Sequence, residues 1–222
     1  MFRNREDAAQ RLAGKLTHRE LHDPLVLAIP RGGVVTGAVL ARELHAELDV
    51  VLSRKLRAPD QPELAIGAVT EDGQLYVCDD ARDYLDALDD YLVDERRHQL
   101  TEIARRKALF RAVRPQARIA GRSVIVTDDG IATGSTMIAA LQATRTHRPR
   151  ELIVAVPVAS PDRLEEVRRW SDDVVCLLAP DDFRAVGQYY EDFTQVDDDE
   201  VVTLLRQHAS ETGRRNPAEA SP

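Results

Sequence analysis

An α/β fold, a doubly wound and mostly parallel sheet flanked by helices, is what this sequence predicts, and three features carry the prediction. Apolar runs at residues 25–29, 48–52, 124–126, 152–156 and 174–178 are nearly continuous rather than alternating, as in strands covered on both faces. Stretches with helical spacing lie between several of these runs, the pattern of βαβ units joined by right-handed crossovers. Two runs end in glycine-containing turns, Arg31-Gly32-Gly33 and residues 128–134, and open α/β sheets hold ligands at the carboxyl ends of their strands.

The elements follow in chain order. The first strand (25–29) meets the Arg31 turn and then a helix carrying Val34, Val35, Ala38, Val39, Ala41 and Leu44; the second strand follows at 48–52. Residues 55–63, with two prolines and no periodicity, predict a long loop of the kind that serves as a lid. Residues 65–69 and 75–78, joined by Glu71-Asp72-Gly73, predict a hairpin. From about 81 to 111 apolar residues recur at helical intervals without Pro or Gly, which gives one long helix or a broken pair. Strand, helix and strand then repeat to residue 178, and Asp197-Asp198-Asp199-Glu200 is a well-charged helix start before Val201. A single domain over 1–207, with a small hood near 180–194 and a disordered tail over 208–222, is the expected organisation.

Composition narrows the class. The 222 residues are 43% hydrophobic and 31% charged, a globular balance, and no apolar run approaches the roughly 18 residues of a membrane span. The first seven residues lack an apolar signal core, and the two cysteines, Cys78 and Cys176, lie in strand-like runs, so a cytoplasmic, disulfide-free protein is expected. His18 and His22, a helical turn apart, lack a third metal ligand. A net charge of −8 argues against a nucleic-acid surface. The basic crowd Arg96, Arg97, Arg105, Arg106, Lys107, Arg111 and Arg114 reads most simply as the solvated face of the long helix.

Chemistry concentrates at Thr127-Asp128-Asp129-Gly130-Ile131-Ala132-Thr133-Gly134-Ser135-Thr136. Small and hydroxyl residues at the start of a helix leave backbone N–H groups to converge on an anion such as phosphate. The adjacent carboxylates would repel that phosphate unless they faced sugar hydroxyls or a bridging cation, and a sugar phosphate satisfies both demands. A nucleoside-triphosphate loop needs Lys directly after its second glycine, where Ser135 stands, and the dinucleotide glycine spacing is absent.

This segment closely resembles the phosphoribosyl diphosphate (PRPP) signature of type I phosphoribosyltransferases, and the resemblance extends more weakly over about residues 25–193. It implies that Asp128 and Asp129 contact the ribose hydroxyls and that Ile131, Ala132, Thr133, Gly134 and Ser135, with Gly130 and Thr136 at the ends, surround the 5′-phosphate. It also implies Mg²⁺, held mainly through PRPP, with Asp128 and Asp129 as candidate protein ligands. Pro30 to Val35 resembles the pyrophosphate loop of guanine/xanthine-type members, in which Arg31, Gly32 and Gly33 would hold the diphosphate. Arg54 and Lys55 stand where the family keeps a basic residue for pyrophosphate. Lys55 is the preferred contact, although a solvated strand-end lysine explains it equally well. Asp129, Lys55 and Arg31 are thus the candidate catalytic residues.

Residues 183–193 gather aromatics in a chain only 5% aromatic. Phe183, Tyr189 and Tyr190 could stack on a planar acceptor or could seal one end of the core. The segment loosely resembles the hood of hypoxanthine-guanine enzymes. Those enzymes carry a lysine after the strand that follows the PRPP motif, whereas residues 155–160 here contain none. The expected activity is transfer of the 5-phosphoribosyl group from PRPP to a nitrogen nucleophile with release of pyrophosphate. PRPP and an acceptor are the expected partners, and a homodimer is compatible with the reading. A PRPP- or nucleotide-binding regulator without turnover, or a phosphoribosyl hydrolase, are the alternatives.

Overall fold

The computed structural model describes residues 1–59, 65–73, 75–77 and 85–215. Five parallel strands form the main sheet in the order β2-β1-β6-β7-β8: β1 (Leu25–Ala28), β2 (Glu47–Val50), β6 (Ser123–Thr127), β7 (Glu151–Val158) and β8 (Asp173–Leu178). The chain runs from β1 outward to β2, then returns to the other side of β1 for β6, β7 and β8. Strand order therefore reverses between β1 and β6, where Ala28 lies beside Thr127. Both glycine turns leave the sheet at this switch point.

Alternation within the strands separates two cores. Val26 and Ala28 face a cluster with Leu12 of α1 (Arg5–Ala13), Val34 and Leu40 of α2 (Gly32–Glu43), and Val201 and Leu205 of α6 (Asp198–Arg215). Leu25 and Leu27 face Met137 and Leu141 of α4 (Ser135–Thr146) and Leu164 and Val167 of α5 (Pro161–Arg168). Each such buried side chain contributes about 1.5–3 kcal/mol, so helices on both faces are what make the uninterrupted apolar strands stable.

Three differences from the sequence reading bear on the site. First, Ser53–Arg57 is a strand, β3, paired with β4 (Ala65–Thr70) and through it with β5 (Leu75–Val77) in an antiparallel sheet, so Arg54 and Lys55 lie within a strand and not at the start of a loop. Only Leu56 of β3 is buried, so this cationic segment lacks the alternation that marks a strand. Of the expected loop and hairpin, residues 60–64, 74 and 78 lie outside the described residues, as do 81–84 of the expected long helix. Second, the long helix is continuous as α3 (Leu85–Arg111), and its basic residues divide by role. Arg96, Arg97, Arg105 and Lys107 are exposed, whereas Arg111 bridges Asp49 and Glu71, each at 2.6 Å, and fastens the helix to the sheet edge. Third, α6 continues past the expected boundary at 207 as far as Arg215. His208 is buried with Nε2 3.1 Å from Ala46 O, a polar residue completing an apolar stripe.

Helix α1 has an N-terminal signature: Asn4 accepts a hydrogen bond from Asp7 N (2.9 Å), and Glu6 and Asp7 occupy the first turn. Asn4→Ala is expected to destabilise the protein by about 1 kcal/mol, a fall in Tm of about 2–4 °C for a chain of this size, readable by thermal denaturation.

Candidate active site

The two turns that the strand order brings together are in contact. A Cβ at Gly32 would stand 2.0 Å from Asp129 Oδ2, and one at Gly33 2.9 Å from Asp128 Cα. Only glycine lets the Arg31 turn press against the acidic pair. The Pro30–Arg31 peptide between strand and turn is cis. Asp128 Oδ1 accepts from Asp129 N (2.8 Å), and both side chains are half-buried. Burial, and then the neighbouring Asp129 charge, pushes the Asp128 carboxyl well above the usual carboxylate range. Burial raises Asp129 as well, against the pull of Arg5.

Arg5, on α1, is the residue that sequence reasoning missed. Its Nε donates to Asp129 Oδ2 at 2.8 Å, its Nη1 donates to Thr194 O at 2.8 Å, and its guanidinium lies 3.9 Å from the centre of the Phe193 ring. One side chain thus joins the N-terminal helix, the acidic pair and the far end of the hood. The cap at Asn4 and the period of Ala8, Ala9, Leu12 and Ala13 mark the helix, but no local signal names a partner more than a hundred residues away.

The loop after the acidic pair divides into an anchor and a cradle. Ile131 is buried and its N–H donates to Val158 O (2.9 Å), so it fixes the loop to β7. Ala132 and Thr133 are exposed. Gly134 has φ +80°, a left-handed conformation that favours glycine, and directly precedes the first residue of α4, Ser135. The stretch from Ala132 to Thr136 therefore lies at the positive end of the helix.

On the other side of the switch point a cavity of about 350 Å³ is lined by Ile29, Pro30, Arg54, Lys55, Arg106 and Thr136, among others. It connects the end of β1 with the first turn of α4, and its size lies at the small end of the range for ligand pockets. Arg54 and Lys55 both line this cavity, and so does Arg106 of α3.

The hood candidates separate. Tyr190 is buried, packed between Phe2 (5.3 Å) and Phe193 (5.0 Å), and donates its hydroxyl to Asp129 O at 2.6 Å, so its ring serves packing and is not open for stacking on an acceptor. Burial holds that hydroxyl far above its ordinary titration range. Phe183 and Tyr189, half-buried, stack on each other at 5.7 Å and 15°. The 3₁₀ turn Val186–Tyr189 sets Val186 against Gly130, so the hood rests on the phosphate loop.

An acidic pair, a glycine-containing loop at a helix start and a cationic cavity meet at the switch point of a parallel sheet, the place where open α/β folds hold ligands. The chain belongs to the phosphoribosyl transferase domain family, whose sequence profile matches residues 2–194. Two curated proteins from Mycobacterium tuberculosis strains, whose names give them provisionally as phosphoribosyl transferases, are each 43% identical over 207 residues. That alignment takes in 92% of this chain and 46% of theirs, so the chain spans about half the length of these relatives. The crystal structure of TT1426 from Thermus thermophilus is 45% identical with a TM-score of 0.86, over 93% of this chain and 98% of that one. Among the described residues no helix is long and apolar enough to cross a membrane.

Proposed function

We propose that the protein transfers the 5-phosphoribosyl group of PRPP to a nitrogen nucleophile, a nucleobase or similar heterocycle, with release of pyrophosphate. The observation that carries this reading is the contact between the Arg31 turn and the acidic pair, which brings together the two segments that resemble a PRPP site in a chain of this family. The C1–O bond to the diphosphate breaks, a C1–N bond forms, and the nitrogen sheds its proton. The transition state is oxocarbenium-like, so the site acts by holding the donor, stabilising the departing charge and excluding water.

In this reading residues 132–136 hold the 5′-phosphate, and Asp128 and Asp129 accept hydrogen bonds from the ribose hydroxyls. Arg31, Arg54 and Lys55 face the diphosphate, and the stacked Phe183 and Tyr189 offer the acceptor a surface. In this reading Mg²⁺ binds largely through substrate oxygens, as suits an ion that takes few protein ligands beside phosphates. Asp128 or Asp129 would complete the sphere of such an Mg²⁺, and the ion would neutralise leaving-group charge.

The test is product analysis with PRPP, Mg²⁺ and a panel of purines, pyrimidines and other nitrogen heterocycles. Pyrophosphate release with a new N-glycoside is the expected result. Guanine and hypoxanthine are expected to be poor acceptors, because the end of β7 and the residue that follows it, Val156 to Ala159, are apolar and buried, and Ser160 adds no cation to read a ring carbonyl. PRPP binding without turnover would make the protein a sensor, and ribose 5-phosphate as sole organic product would make it a hydrolase.

A further inference from the structure

The cationic cavity contains a residue that neither the signature segments nor the pyrophosphate-loop resemblance includes. Helix α3 presents Glu95, Gln99, Ile103 and Arg106 along one face, at spacings of three and four residues. Three of the four are fixed. Ile103 is buried in the main core, Gln99 Nε2 donates to Glu95 Oε1 (2.9 Å), and Glu95 pairs with Arg57 (2.9 Å). Gln99 Oε1 in turn accepts from Arg54 Nε at 2.6 Å and aligns that guanidinium with a neutral partner. Glu95 thus neutralises Arg57 but leaves the charge of Arg54 uncompensated at this contact.

Arg106 is the fourth residue of the face. It is half-buried, lines the cavity, and its Nε is sequestered from solvent with no hydrogen-bond partner among the described residues. Burial disfavours its charge first, and then Arg54, which lines the same cavity, and Arg31, which follows the lining residue Pro30; the carboxylate that favours it, Asp198, is engaged by Arg105 at 2.9 Å. A helix with exposed positions to spare has placed a cation beside two others, in a site where the chain itself leaves a donor unsatisfied. Such an arrangement is costly in the free protein unless an anion joins it. The anion must be compact and multiply charged to meet donors from β3, α3 and the Arg31 turn together.

We propose that Arg106, carried by the inserted helix α3, completes with Arg54 and Arg31 a clamp for the diphosphate of the donor. The clamp deepens the reading above and rests on it. Arg106 binds the leaving group both before and after it departs, and Gln99 is a positioning residue that acts through Arg54.

The experiment is calorimetry of inorganic pyrophosphate, ribose 5-phosphate and PRPP with the full chain, as wild type, Arg106→Met and Arg106→Lys. Methionine keeps the apolar stem and removes the charge. The expected result is a loss of tenfold or more in pyrophosphate affinity for Arg106→Met, a smaller loss for Arg106→Lys, and ribose 5-phosphate affinity unchanged within twofold. The melting temperature of free Arg106→Met should be no lower than that of wild type, since the variant relieves like-charge crowding; a merely structural arginine would lower it. Wild-type pyrophosphate affinity in folded Arg106→Met, with PRPP still bound by wild type, would overturn the clamp alone. Failure of wild type to bind either PRPP or pyrophosphate would overturn the donor reading and the clamp with it.

Discussion

Replacing Asp128 and Asp129 together by asparagine is expected to weaken binding of PRPP with Mg²⁺ at least tenfold, about 1.4 kcal/mol, and Asp128→Asn alone is expected to stabilise the unliganded protein. Both effects have one origin. Two adjacent carboxylates sit half-buried against the Arg31 turn, and among the described residues Asp128 has no cation bonded to it. Its carboxyl in the folded chain is held well above the value of 3.8 that it has when unfolded, by burial and then by Asp129. The folded state therefore binds this proton more tightly than the unfolded state. Stability falls as pH rises from the unfolded value through the raised one, and above that window the penalty is fully present. Asn cannot ionise and escapes the penalty, so the free single variant should melt about 2–4 °C higher at pH 8, the equivalent of about 1 kcal/mol. The double variant, meanwhile, cannot offer ribose hydroxyls a charged acceptor. Calorimetry and melting at pH 5 and pH 8 check the two halves. Unchanged PRPP affinity in a folded double variant would remove the ribose-binding role.

The main sheet was legible because strands buried on both faces announce themselves as apolar runs, and the glycine turns because backbone contact admits no side chain. The segment Ser53–Arg57 was not. Its pairing with Ala65–Thr70 is set by backbone hydrogen bonds and one buried leucine, and Ser-Arg-Lys-Leu-Arg carries no period to betray it. Tyr190 and Tyr189 show a second limit. The two rings are adjacent in sequence and equally aromatic, yet one is core and the other half-buried, a choice made by Phe2 from the start of the chain together with Phe193 of the same segment. The basic run of α3 shows a third. Arg105 and Arg106 are neighbours that point apart, one to Asp198 at the surface and one into the cavity, and only the packing of Ile103 fixes which is which.

Arg5→Ala should be the most damaging single substitution near the site, at about 3 kcal/mol, the lower end for breaking a buried pair, because it leaves the half-buried Asp129 carboxylate beside Asp128 without its cation. The lost contact with Phe193 adds about 0.5–1 kcal/mol, and Thr194 O loses its donor. Against a typical total of about 5–15 kcal/mol, such a loss brings the chain close to unfolding at ordinary temperatures. Arg5→Lys should recover little, since an ammonium cannot reach Asp129 and Thr194 as a fork while lying flat on a ring. The informative partner is Asp129→Asn. With the carboxylate gone, Arg5→Ala no longer strands a charge, so the double variant should lose well under the sum of the two single losses, with a coupling of about 1 kcal/mol or more, on the order expected of groups in direct contact. Urea denaturation of the four proteins measures it. Single losses that add within about 0.5 kcal/mol would mean that Arg5 stabilises the hood through Phe193 and Thr194 and not the acidic pair. Asp129 would then owe its ionisation to whatever the site binds.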